Sequence, residues 1–143
     1  MATNAVLVDT GPMVAILDTG DAHHQACKTE FGKLQSPLFT CWPVITEAVW
    51  LLRAFPSRVR SLLESCQGDP YVILPLTVGD VPGINAILAK YEDQGFQLAD
   101  ASLMPLSQRE NTQTVFTVDE ADFSVFRDKT GNPLQLLPDN TAS

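Results

Sequence analysis

The chain has 143 residues, 45% of them hydrophobic and 18% charged, which suits one well-buried core and is short for two. Nine Lys and Arg against 17 Asp and Glu give a net charge of -8, which excludes a protein that grips nucleic acid through a broad basic surface. No apolar run approaches the ~20 residues of a membrane span, and MATNAVLVD has no basic segment before its short apolar stretch, so neither a membrane anchor nor a secretory leader is expected. The expectation is a single cytoplasmic domain over residues 1–143, with its core at about 5–138 and a polar C-terminal tail.

In chain order, AVLVD at 5–9 reads as a short buried strand ending on Asp9, and Gly11 with Pro12 opens a helix to about Leu17. Asp21 is placed to cap a polar helix that carries His23, His24, Cys27 and Phe31 and closes near Gly32. LFTC at 38–41 is a second strand. Pro43 then sits in the first turn of a helix whose spacing buries Val44, Ala48, Leu51 and Leu52 and which carries Glu47. Ser57 is positioned to cap a further helix through Val59, Leu62, Leu63 and Cys66, ending at Gln67, Gly68, Asp69 and Pro70.

YVILPL at 71–76 is a third strand, followed by a helix from about 80 to 93 that turns Ile84, Ile87, Leu88 and Tyr91 inward. DASLMPLSQREN reads as a helix beginning just after Asp100, with Pro105 expected to kink or shorten it. VFTV at 115–118 is a strand, DEADFSVFR a turn with a brief helix, and LQLL at 134–137 a final strand. Strands and helices alternating at this spacing predict a parallel sheet with helices on both faces.

In such sheets ligands gather beyond the carboxyl ends of strands, near the point where strand order reverses. Asp9 and Asp119 follow apolar strands, and Glu47 and Asp100 lie near the beginnings of helices, so all four acids could converge there. Each has an ordinary reading. Asp9, Asp119 and Asp100 could cap helices, whereas Glu47 sits in an apolar stretch where an unpaired charge is costly to bury.

The other polar residues read more plainly. Cys27, Cys41 and Cys66 are odd in number, lack CxxC spacing and read as buried free thiols. His23 and His24 point to different sides of a helix and read as surface residues. Arg53, Arg58 and Arg60 suit either RNA phosphate or a solvated helix face, and Trp42 and Trp50 suit core or interface anchors better than base-stacking platforms.

Taken together, VLVDTGPMVAILD, SPLFTCWPVITEAVWLL, KYEDQGFQLADASLMPLSQREN and VFTVDEADFSVFR, in this order over residues 5–138, resemble the PIN-domain ribonucleases, especially VapC-type toxins. The resemblance implies a three-layer α/β/α sandwich with a central parallel sheet and an endoribonuclease dependent on Mg²⁺ or Mn²⁺. It places Asp9, Glu47, Asp100 and Asp119 in the metal site, with Thr10 and Thr117 beside them and Asp122 as an additional or substitute acid. Asp9 and Asp100 would contact metal directly, Glu47 would bind it or orient water, and Asp119 would complete the shell. Hard divalent cations favour such oxygen donors. The implied reaction is in-line hydrolysis by metal-activated water, leaving a 5′-phosphate and a 3′-hydroxyl.

The same resemblance implies a homodimer and an antitoxin partner whose segment covers the acidic site, and the apolar helices around Trp50–Phe55 and Leu62–Leu63 suit either of these contacts or ordinary core. Gln97 departs from it, standing where related sequences often carry an acid. A different class of reading is a non-catalytic PIN-type module that binds RNA or protein, against which the retention of all four acids argues. A receiver-like signalling domain would require paired acids early and a lysine after a late strand, and neither VLVDTGP nor VFTVDEADF supplies them.

Overall fold

The computed structural model describes residues 5–35 and 37–139. In chain order the elements are β1 (Val6–Val8), α1 (Thr10–Leu17), α2 (His24–Lys33), β2 (Leu38–Thr40), α3 (Trp42–Leu51), α4 (Pro56–Glu64), β3 (Tyr71–Ile73), α5 (Val81–Lys90), α6 (Leu98–Arg109), β4 (Thr114–Phe116), α7 (Glu120–Phe123) and β5 (Gln135–Leu137). Single 3₁₀ turns precede and follow α5. The polar tail expected beyond residue 139, like residues 1–4, lies outside the described residues.

The five strands form one sheet in the order β3-β2-β1-β4-β5, every pair parallel. Parallel strands are covered on both faces and therefore read as continuous apolar runs. β1 is the central case, with all three of its residues buried. The helices flank the parallel sheet predicted from the alternation and make the three-layer α/β/α sandwich that the resemblance implies. One core cluster joins strand residues Leu7, Val8, Val115 and Phe116 to helix residues Met13, Val44, Ala48, Leu103 and Met104. Burying a side chain such as Phe116 contributes about 1.5–3 kcal/mol.

Strand order decides where a site can form. The chain steps outward from β1 to β2 to β3, then crosses back to place β4 on the other side of β1. The carboxyl ends of β1 and β4 therefore flank the reversal, where connections leave in opposite directions and open a crevice.

Several local expectations are corrected. α6 begins at Leu98, before Asp100, because the Gln97 N–H donates to Asp100 Oδ2 (3.2 Å) and closes the first turn ahead of it. Pro105 does not shorten this helix, which continues to Arg109. Seven buried residues hold it in place, so packing outweighs one missing backbone donor.

In α3, Val44, Ala48 and Leu52 are buried as expected, but Leu51 is 52% exposed, and in α4 Leu63 is exposed beside buried Leu62. Phe55, not Ser57, precedes α4, with Pro56 at its first position. Asp21 accepts from the His23 N–H (2.8 Å) in the turn ahead of α2 and does not cap the helix itself. Trp42 and Trp50 are 57% and 61% exposed and belong to no core.

The cysteines follow expectation: Cys27 and Cys41 are buried, Cys66 is half-buried, and all three are free thiols. Among the described residues, no helix is long and apolar enough to cross a membrane.

Candidate active site at the strand reversal

The site begins with Asp9, the first residue past β1. Its backbone N–H donates to the Phe116 carbonyl (3.0 Å), stitching the end of β1 to the end of β4. Asp9 stands in the N-cap position of α1, yet its side chain caps nothing. Its Oδ2 accepts from Thr117 Oγ1 (2.9 Å), and its Oδ1, equally buried, has no partner. The capping explanation therefore fails for Asp9.

It holds for Asp119, whose side chain accepts from the Asp122 N–H (3.4 Å) at the start of α7. Thr117 links the two acids. While its hydroxyl donates to Asp9, the same oxygen accepts from the Asp119 N–H (2.9 Å), using both roles a hydroxyl offers.

Glu47 comes from the middle of α3 and Asp100 from the first turn of α6. The Thr10 hydroxyl lies between the Val44 carbonyl (3.3 Å) and the Glu47 carboxylate. Asp9, Glu47, Asp100, Asp119 and Asp122 together line one cavity of about 230 Å³, with Thr10, Gly11, Leu51, Gly95, Gln97 and Val118 completing the wall. No Lys, Arg or His is among those lining residues. A larger neighbouring cavity, about 420 Å³, shares Val118 and Asp119 with it and is bounded by His23, Cys27 and Thr117.

Uncompensated acids in one cavity suppress one another's ionisation. Burial, then the charge of Asp100, pushes Asp9 up to about 7, and the hydrogen bond from Thr117 only partly opposes the shift. Burial followed by Asp100 also raises Glu47, and burial followed by Asp119 raises Asp100. Asp122 is pushed to about 6 by burial and by its contact with Asp119.

Among the described residues, no three acids, histidines or cysteines are drawn together tightly enough to form a ready-made metal cage. Asp100 and Asp119 are each engaged with a backbone amide, of Gln97 and Asp122 respectively. The donor set nonetheless fits a hard divalent cation. It is all oxygen, carries several carboxylates without a counter-charge, and includes a buried carboxyl oxygen with no hydrogen-bond partner.

The structure thus brings together Asp9, Glu47, Asp100, Asp119 and Asp122, with Thr10 in the wall and Thr117 behind Asp9. His24 stands elsewhere, its Nδ1 2.6 Å from the Ala15 carbonyl. The sequence reading missed the small and apolar wall. Gly11 is there because a Cβ would run into the Val118 side chain, and Gly95 because the chain turns with φ +67°. The glycines were visible as letters, but their reason depends on the β1–β4 junction.

The fold and this acidic crevice define the chain as a PIN-domain protein: the PIN domain family model matches residues 6–129, and the chain belongs to that family. Over 135 residues it is 24% identical to Ribonuclease VapC26 of Mycobacterium tuberculosis, a match covering 93% of this chain and all of that one. Its fold is similar to the crystal structure of Mycobacterium tuberculosis VapC20, described as a Sarcin-Ricin loop cleaving toxin. There the TM-score is 0.76 at 16% identity, covering 82% of this chain and 92% of the other.

Proposed function

We propose that this chain is an endoribonuclease dependent on Mg²⁺ or Mn²⁺, acting as a single domain in the cytoplasm. The observation that carries the reading is Asp9 Oδ1: a buried carboxyl oxygen without a partner, in a cavity lined by four further acids and no cation. Membership of the PIN-domain family and similarity to a protein named as a ribonuclease support it.

Asp9 and Asp100 are assigned as direct metal ligands, Glu47 as a ligand or water orienter, and Asp119 as the fourth acid, with Asp122 beside it. Such an ion, when bound, supplies Lewis-acid polarisation of the phosphate and a water acidic enough to attack it. Thr117 holds Asp9 Oδ2, fixing the carboxyl rotation and leaving Oδ1 unshared. Thr10, whose hydroxyl donates to the Val44 carbonyl, stands in the wall with Glu47, and Leu51 covers part of the cavity wall with apolar surface. The bond broken is the P–O3′ bond, leaving a 5′-phosphate and a 3′-hydroxyl.

The proposal extends to the toxin role. An antitoxin segment carrying a basic side chain would neutralise the uncompensated acids of the cavity. Self-association would cover exposed apolar residues such as Trp42, Val78 and Val81, which follow the neighbouring strands β2 and β3.

The test is cleavage of a mixed RNA pool with Mn²⁺, Mg²⁺ or EDTA beside Asp100→Asn. Metal-dependent cleavage, 5′-phosphate ends and loss of activity in the variant are expected. RNA binding without cleavage, in a protein that still binds Mn²⁺, would instead identify a non-catalytic module.

A further inference from the structure

The basic residues are unevenly placed. Lys28, Lys33, Lys90, Arg109, Arg127 and Lys129 each have an acid within three residues along the chain. Residues 48–63, AVWLLRAFPSRVRSLL, carry Arg53, Arg58 and Arg60 and no acid at all. In a chain of net charge -8, this stretch alone is strongly positive.

It forms the last turn of α3, the corner after it, and most of α4. The Arg53 guanidinium lies over the Trp50 ring, 3.7 Å from its centroid, and NH1 donates to the Trp50 carbonyl (2.8 Å). The Arg58 guanidinium lies over Phe55 at 3.9 Å and is steadied by Asp18 at 3.5 Å. Both rings are exposed, Trp50 at 61% and Phe55 at 49%, and each carries an arginine lying over it. Leu51 connects them to the acidic cavity: it follows Trp50 directly, lies one turn beyond Glu47, and lines the cavity wall.

A guanidinium lying flat on a ring keeps its charge and outward N–H groups, and it presents a plane on which a base stacks. The acidic cavity repels phosphate on its own, so affinity for a polyanion has to come from beside it. A protein partner docking on apolar contact would have to desolvate both arginines against rings already covered on one face. A nucleic acid meets the charges with phosphates and the planes with bases.

We propose that the α3–α4 corner formed by Trp50, Arg53, Phe55 and Arg58 is a ledge that holds single-stranded RNA where it enters the acidic pocket. The substrate class rests on the nuclease reading; the ledge itself is tested separately. The probe is a short fluorescein-labelled single-stranded RNA, followed by anisotropy with the full chain in Ca²⁺.

Trp50→Ala and Arg53→Gln should each weaken binding about tenfold, and Arg53→Gln should reduce the slope of log affinity against log salt by about 0.7. Lys129→Gln, whose lysine has Asp128 beside it, should bind as wild type. Mn²⁺ binding should be unchanged in all three variants, separating the ledge from the acids. RNA affinity unchanged in both ledge variants, reduced equally by Lys129→Gln, or absent in the wild type overturns the ledge. So does a shift from dimer to monomer in the ledge variants with RNA affinity intact, which would mark a self-association surface. Selective loss of binding in a wild type that cleaves nothing upholds the ledge and removes the nuclease reading.

Discussion

Asp9 is held in an environment that opposes its own charge. Its folded pKa of about 7 lies above the ordinary 3.8, so the folded state takes up a proton that the unfolded chain releases, and stability falls as pH rises across that window. The cost at pH 8 is on the order of a few kcal/mol. Thermal unfolding of the metal-free protein should therefore show Tm declining between about pH 4 and 7. Asp9→Asn should flatten that decline and raise Tm at pH 8. At about a hundredfold excess over its Kd, Mn²⁺ should add about 2.7 kcal/mol to wild type at pH 8 and far less to Asp9→Asn. A wild-type Tm indifferent to pH in that range would contradict the electrostatics described here.

Gly11 makes a second prediction at the same scale. A methyl there meets Val118, so Gly11→Ala should push the β4–α7 loop away from α1 and weaken Mn²⁺ binding several-fold. Val118→Ala in the same chain should restore it, as isothermal titration would measure. The acids were legible because their letters fall at the ends of apolar runs. Gly11 and Thr117 were harder to interpret because their importance lies in what the other strand brings.

Among the elements, α6 departs furthest from its sequence reading. Pro105 deprives the Ala101 carbonyl of its helical donor, yet the helix continues because most of its residues are buried. Pro105→Ala should raise stability by about 1–3 kcal/mol, or roughly 2–4 °C in Tm per kcal/mol for a chain of this size, by differential scanning calorimetry. A fall would mean that the proline ring's packing against α5 near Gly83 outweighs the missing hydrogen bond.

α3 gives the complementary lesson. Its period correctly buried Val44, Ala48 and Leu52, but no period separates a leucine that packs from one that lines a cavity, and Leu51 does the latter. The β1 and β4 ends depend on Thr117 in a way apolar patterning does not reveal. Thr117→Val leaves Asp9 Oδ2 and the Asp119 N–H without their partner, and should cost about 1–3 kcal/mol in chemical denaturation.

For the whole molecule, local alternation was enough to predict a parallel sheet covered on both faces, since each strand and helix declares itself within about ten residues. The order β3-β2-β1-β4-β5 was not legible in the same way, because it depends on the long return from β3 to β4. The position of the acids was therefore a permitted convergence until the reversal between β1 and β4 located it. Net charge averaged over residues 48–63, where three arginines stand with no acid among them in the sequence, although Asp18 reaches Arg58 from α1's end.

The hydrogen bond from Thr117 to Asp9 spans 108 residues of chain. During synthesis Asp9, Glu47 and Asp100 all leave the ribosome before Thr117, and none can be locked in position until β4 slots in beside β1. A site built this way stays unfinished for most of the chain's own translation, and its acids are brought together only once nearly the whole chain has been made.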